Sequence, residues 1–200
     1  MRGNAGGMST LTPSSDLVSQ AGRAAHELGL AALLGGNLFG RLALHPSVDR
    51  IADPSERGAV VNAAWRRYGT INSIGLVAVT AGWAGARAEE ARGAGKLTGR
   101  ERALARVKDG LVGMIVATGV VTAIEGIRFS RQAPGGAVPL TDGSTPGPTT
   151  PPRAARMKRT LNVLGAAAIG AEAALVAVDA ALAQEGFRSS PLRRRLRRWG

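Results

Sequence analysis

Apolar residues along this chain gather into four runs, each too long for a strand and each bounded by polar or Pro/Gly-rich joints. The first occupies residues 24–46, "AAHELGLAALLGGNLFGRLALHP", of which only 28–40 are free of charge and histidine. That is short of the roughly 20 residues a membrane span needs. The run reaches that length only if Glu27 sits at one interface and Arg41 faces the bundle or snorkels out at the other. The second run follows a helix restart at Asp53-Pro54-Ser55-Glu56, which has the order of a cap and a proline at the first helical position. It is polar at first and charge-free over 69–86, with Tyr68 and Trp83 where aromatic belts form. The third, 110–127, is β-branched and carries one acid, Glu125, near its far end; Thr98 to Glu101 has capping-box spacing ahead of it. The fourth, 161–183, is interrupted by Glu172 and Asp179.

These elements predict an all-α fold, a four-helix transmembrane bundle with both termini cytoplasmic. Residues 1–23 are expected to be a disordered N-terminus and 24–128 to hold three transmembrane helices with polar connections. Residues 129–160 are expected to be a flexible Pro/Gly-rich linker, 161–184 the fourth transmembrane helix and 185–200 a basic amphipathic tail. The linker expectation rests on six of the ten prolines falling within 131–156 among Gly, Ser and Thr.

The polar residues inside the runs fall on stripes. Gly165, Glu172 and Asp179 recur every seven residues and share one helical face. Glu27, Leu34 and Arg41 form a stripe in the first run with Asn37 beside it. Trp65, Tyr68, Asn72, Gly75, Val79 and Gly82 share a side of the second, and Thr118, Thr122 and Glu125 a side of the third. Each helix thus offers one polar or small-residue face and one aliphatic face, as a bundle with a polar interior requires. Matching depths pairs Arg41 with Glu125 and His26 with Asp179, and leaves Glu172 near mid-membrane with Asn37, Asn72 or Thr118 as its hydrogen-bond donors. In the fourth run, eight Leu, Ile or Val residues favour insertion by about −2 to −5 kcal/mol, while a central acid costs around +3. That helix needs neighbours to cover Glu172, or a neutral Glu172. An intramembrane acid without a counter-ion is a candidate functional group.

Composition sharpens the picture. Only 4% of residues are aromatic although 44% are hydrophobic, so Ala, Val, Leu and 28 Gly carry the apolar content. That suits helices packed closely through small residues. The net charge of +12 would raise nucleic acid as a partner, but the charges flank the apolar runs and no nucleic-acid motif occurs, so nucleic acid is not the expected partner. Flanking charge is the pattern of the positive-inside rule: Lys and Arg number 15 on the side that holds both termini and 11 on the other. Residues 1–23 lack the order of a removable signal peptide, so the first apolar run is expected to act as its own insertion signal. The expected location is the cell membrane, multi-pass.

Much chemistry is excluded. The absence of cysteine removes disulfides, thiolate metal sites and Cys nucleophiles. His26 and His45 are 19 residues apart, about 28 Å along a helix, so they cannot share a metal. "GAGKLTG" places Leu97 where a phosphate loop needs Ser or Thr, and "GGNLFG" lies inside an apolar run with no strand before it. Gly36 and Gly40 are instead spaced for close helix contact. Neither a metal nor a cofactor is expected, and no nucleophile–base–orienter set can be assembled. In the tail, Leu192, Leu196 and Trp199 lie at i, i+4 and i+7, with Arg193, Arg194, Arg195, Arg197 and Arg198 between them. That is a basic amphipathic segment suited to an anionic lipid surface.

"GLAALLGGNLFGRLALHPSV", followed by the run Asn62-Ala63-Ala64-Trp65-Arg66-Arg67-Tyr68, resembles the four-helix membrane families grouped around anthrone-oxygenase-like proteins. The resemblance covers residues 29–83, and the Arg/Ala/Gly bias resembles that of actinobacterial membrane proteins. It implies four spans, a tailoring oxygenase-like activity, and a cluster of His45, Trp65, Arg66 and Tyr68 at one membrane face. The residues themselves favour a non-enzymatic membrane component, structural, accessory or transporter-like. Its expected partners are an anionic bilayer and other membrane subunits or a second copy. The oxygenase-like enzyme and a soluble basic nucleic-acid-binding protein are the alternatives.

Overall fold

A computed structural model of the chain describes residues 15–91 and 97–188. Among them there is no strand; four long helices and short helical turns are joined by loops, the longest of them within 131–151. Helix α1 spans Ser15–Phe39 and runs on through a π-helical turn, Gly40–Leu44, an α turn, His45–Ser47, and a 3-10 turn, Val48–Arg50. Helix α2 is Pro54–Ala91, α3 is Gly99–Ser130 and α4 is Pro152–Arg188. Helix therefore begins at Ser15, inside the stretch expected to be disordered, and α4 begins nine residues before the predicted span. The starts are as the local chemistry dictates. Asp53 Oδ1 accepts the Ser55 N–H at 2.7 Å ahead of α2, and Thr98 and Glu101 close a full capping box on α3.

The helices pack as two pairs. Along α1 and α2 the backbones nearly touch: a Cβ built on Gly29 would lie 2.7 Å from the Gly75 carbonyl oxygen, and one on Gly82 would lie 2.8 Å from that of Gly22. Such approach is open only to glycine and multiplies backbone van der Waals contact. Helices α3 and α4 form the second pair, and α1–α4 and α2–α3 contacts join the two more sparsely. One apolar cluster, including Leu30, Leu33, Val79, Ile115 and Leu175, ties all four helices together toward the end that holds the start of α1 and the finish of α4. A second, with Val48, Val61, Phe129, Val138 and Leu140, lies at the opposite, loop end.

That second cluster overturns the flexible-linker expectation for 129–160. The stretch is helical at both margins and packed between them. Val138 and Leu140 are 1% and 0% exposed, the Leu140 N–H donates to Pro54 O at 2.9 Å, and the Gly143 N–H donates to His45 O at 2.9 Å. Arg57 donates to the carbonyls of Ile51 at 2.6 Å and Thr141 at 2.8 Å, tying the segment to the start of α2. Proline removes donors but leaves carbonyls, and here side chains and neighbouring backbone supply the missing partners. Gly135 and Gly136 make the turn with φ of 62° and 76°.

Three helices are long and apolar enough to cross a bilayer: α1 with its continuation (Gln20–Arg50), α3 (Gly99–Ser130) and α4 (Pro152–Phe187). Helix α2, expected as a good span, is outside this set. Thr70, Asn72, Ser73 and Thr80 dilute its charge-free stretch, although Ile71, Ile74 and Val77 are each more than half exposed on its outer face.

Candidate functional site

Where the two helix pairs meet loosely, they leave a cavity of about 560 Å³ reaching from mid-bundle to the loop end. Glycine hollows it: at Gly69, Gly126 and Gly165 a Cβ would meet nothing within 4 Å. Arg66, Thr70 and Ser73 of α2 and Ala123 and Ile127 of α3 line the cavity and are exposed or nearly so, which places its mouth between α2 and α3. The walls are mainly apolar, from Leu33, Leu76, Ile115, Phe129 and Leu161, with a few polar groups among them. That is the make-up of ligand sites generally, and the volume falls within their usual range of about 300–1,000 Å³.

The deep end is Glu172, 2% exposed. Asn37 Nδ2 donates to its two oxygens at 2.8 and 3.1 Å, so one of the three expected donors serves it, and it makes no ion pair with any described residue. Asn72 lines the cavity beside it, whereas the Thr118 hydroxyl donates back to Met114 O at 2.7 Å within its own helix. Thr122 Oγ1 is buried with no hydrogen-bond partner.

At the loop end stand His45, Trp65 and Tyr68. Trp65 Nε1–H donates to His45 Nε2 at 3.0 Å, and His45 Nδ1 lies 3.0 Å from Ser144 Oγ. Indole is only a donor, so Nε2 is the acceptor and the ring carries its proton on Nδ1. The rings of His45 and Trp65, and of Trp65 and Tyr68, meet edge to face at 5.8 and 5.9 Å. Tyr68 donates to Ala32 O at 2.5 Å. Gly36 and Gly40 are the seats of these rings, Tyr68 over the first and Trp65 over the second. Their absent side chains therefore admit aromatic rings, not a neighbouring backbone. Arg66 is exposed at the rim. Nearby, Asp142 accepts the backbone N–H groups of Ser144 at 2.5 Å and Thr145 at 2.9 Å. Burial pushes its carboxyl up, but these hydrogen bonds prevail and hold it below the usual carboxylate range.

Lys158, which sequence reasoning passed over, lies on the cavity wall at this end and is 4% exposed. Its ammonium stands 5.8 Å from the centre of the Phe129 ring, and it makes no hydrogen bond or ion pair with any described residue. The signal was present: Lys158, Gly165, Glu172 and Asp179 continue one seven-residue stripe.

The opposite end of the bundle holds a closed cluster. His26 Nε2 lies 3.0 Å from Asp179 Oδ2, as depth matching expected, and His26 Nδ1 lies 2.8 Å from Val79 O. Lys108 takes the other Asp179 oxygen. Glu27, exposed, brings the ligand atoms of His26, Glu27 and Asp179 within 4.8 Å of one another. Asp179 is already neutralised by Lys108, which leaves little there for a cation. Trp83, expected at a membrane interface, donates to Asp109 at 2.7 Å beside Arg87.

The expected Arg41–Glu125 pair does not form. Glu125 pairs with Arg128 at 2.7 Å, one turn along its own helix. Arg41 falls in the π-helical turn, whose wider winding takes it off the α register, and it is exposed at the cavity rim. The tail residues Leu192 to Trp199 lie outside the described residues.

The chain is thus an all-helical bundle with a ligand-sized, side-opening cavity. No protein-family model, no curated protein and no solved structure matches it.

Proposed function

We propose that this chain is a multi-pass integral membrane protein of the cell membrane, a non-enzymatic component of transporter-like or accessory kind whose cavity receives a ligand. One observation carries the reading: the side chains are inverted relative to a water-soluble protein. Leu28, Leu42, Ile74, Val77 and Val163 are each at least 64% exposed, whereas Glu172, His26 and Lys158 are at most 4% exposed. In water, so many exposed large apolar side chains would mark an interaction surface; in hydrocarbon they face their own solvent, and the polar groups turn inward. Helix α2 then crosses as the partner of α1, packed on it along the glycine seam. The Lys/Arg excess puts both termini in the cytoplasm, with the folded 131–151 segment and the Lys158 end of the cavity on the outer side. Alkaline carbonate extraction tests this directly. The protein should stay in the membrane pellet and need detergent for purification; release into the supernatant, or a monodisperse sample without detergent, refutes it.

The oxygenase-like alternative draws on the His45–Trp65–Tyr68 chain along the cavity wall. Both His45 nitrogens, however, are occupied by protein groups, so the ring is held as structure and offers no free base or ligand atom. That favours the non-enzymatic reading.

A further inference from the structure

The cavity has a directional chemistry. Lys158 and Glu172 lie fourteen residues apart on one face of α4, about 21 Å along its axis, and Gly165 between them leaves the space open. At the loop end is an ammonium, buried over the Phe129 ring and with no hydrogen bond or ion pair to any described residue. Asp142, the carboxylate close enough to act on it through space, is held by the Ser144 and Thr145 amides. Burying a lone charge is costly unless something answers it, and the groups that do line this end, Arg41 and Arg66 at the rim, are cations too. Between the ends the wall is Leu33, Leu76, Ile115 and Phe129, and the floor is the Glu172–Asn37 pair, already satisfied within itself. The mouth opens sideways between α2 and α3, whose neighbouring outer positions Ile74, Ile124 and Ile127 are exposed and apolar.

We propose that this cavity binds an anionic amphiphile, a carboxylate or phosphate head seated at Lys158 with its apolar chain lying along α4 toward Glu172, entering from the bilayer between α2 and α3. The inference rests on the membrane reading for its route of entry. The Lys158 ammonium, orphaned in the protein alone, completes a charge-assisted hydrogen bond when the head arrives. Thr122 Oγ1, buried without a partner, becomes available to a polar substituent part-way along the chain.

Trp65 lines the cavity and reports on it. Detergent-solubilised full-length protein titrated with 9,10-dibromostearate should show saturable quenching of tryptophan fluorescence, and Trp65→Phe should remove the saturable part. Lys158→Met should weaken binding by about tenfold or more, the size of one lost charge-assisted hydrogen bond, while Lys158→Arg restores it. The methyl ester of the same acid should bind as weakly to the native protein as the acid binds to Lys158→Met. Should Lys158→Met fail to keep its helical circular dichroism, Gly165→Leu fills the same space and should abolish the quenching. A phosphatidylglycerol with brominated chains identifies the source: Lys158-dependent quenching by it assigns a resident membrane lipid, and by the free acid alone a single-chain amphiphile. Equal affinity for acid and ester, affinity indifferent to Lys158, or quenching that never saturates overturns the proposal. A protein that resists carbonate extraction yet shows none of this quenching loses the site and keeps the membrane; one extracted by carbonate that still binds through Lys158 keeps the site and loses the bilayer route.

Discussion

The two polar ends of the bundle hold the same kinds of residue and differ in whether the charges are answered. At the terminal end, the Asp179 carboxylate meets both Lys108 and His26, and His26 in turn meets Val79 O. At the loop end, Lys158 has only the Phe129 ring and no hydrogen bond or ion pair with any described residue, and Glu172, mid-bundle on the same stripe, has only the Asn37 amide. Between them lies the apolar cluster of Leu30, Leu33, Val79 and Leu175, which seals one from the other. A closed network over a filled core serves to hold helices together. Unanswered groups over a void serve something that arrives.

The sharpest way to break this contrast is one operation at both ends. Asp179→Asn strands a partly buried ammonium and a buried imidazole and should cost about 3 kcal/mol, the low end of the range for buried ion pairs deprived of one partner. Lys158→Met removes a charge that has no hydrogen bond or ion pair with any described residue, only the Phe129 ring and the through-space pull of Asp142, so stability should stay within about 1 kcal/mol of the native protein or rise. Thermal unfolding in detergent, followed by circular dichroism, separates the two. Equal losses at both positions would mean that Lys158 has a structural partner after all.

A second comparison sets one glycine against another. Gly29 faces the Gly75 carbonyl across the α1–α2 seam, and Gly165 faces open cavity. Gly29→Ala should therefore force the pair apart at a cost of about 1–3 kcal/mol. Gly165→Ala should gain up to about 1 kcal/mol from helix propensity. The same melts read both, and a harmless Gly29→Ala would remove the case for close packing along this seam.

Much of this architecture was legible from periodicity. The four helices, the stripe on α4 and the His26–Asp179 contact follow from 3.6-residue spacing and depth, the capping box at Thr98 follows from its residue types, and Asn37 was one of three donors that depth left open for Glu172. Three features were not. Glycines 22, 29 and 36 on α1, and 75 and 82 on α2, recur at sevens, but spacing alone does not say whether a glycine meets backbone, a ring or a void. Gly29 meets the first, Gly36 the second and Gly165 the third. Arg41 escaped because a π-helical turn shifts phase, and nothing in the sequence announces one. The 131–151 segment misled because its composition is that of a disordered linker. What holds it are two buried apolar side chains, Val138 and Leu140, and long-range bonds from Arg57 and Asn62 that a local reading cannot see.

That segment supplies the finest test of the two-ended picture, because its acid lies at the open end, outside the helices. The Ser144 and Thr145 amides hold the Asp142 carboxyl below its ordinary range despite the opposing effect of burial. A group depressed in the folded state contributes stability above its unfolded value, near pH 4, and loses it as pH falls through the lower folded value. The loop end should therefore loosen on the acid side of about pH 4, and Asp142→Asn should flatten that part of the stability profile while leaving the profile between pH 6 and pH 8, a span chosen at roughly two units above the carboxylate range, unchanged in shape. Because Asp142 also acts on Lys158 through space, the same substitution removes an anion that competes for the ammonium. Binding of the dibrominated acid at neutral pH should tighten slightly even as the stability that the Asp142 carboxylate contributes above about pH 4 is lost. Weaker binding instead would mean that Asp142 positions the 131–151 segment over the site, and that the cavity depends on this cap for its shape.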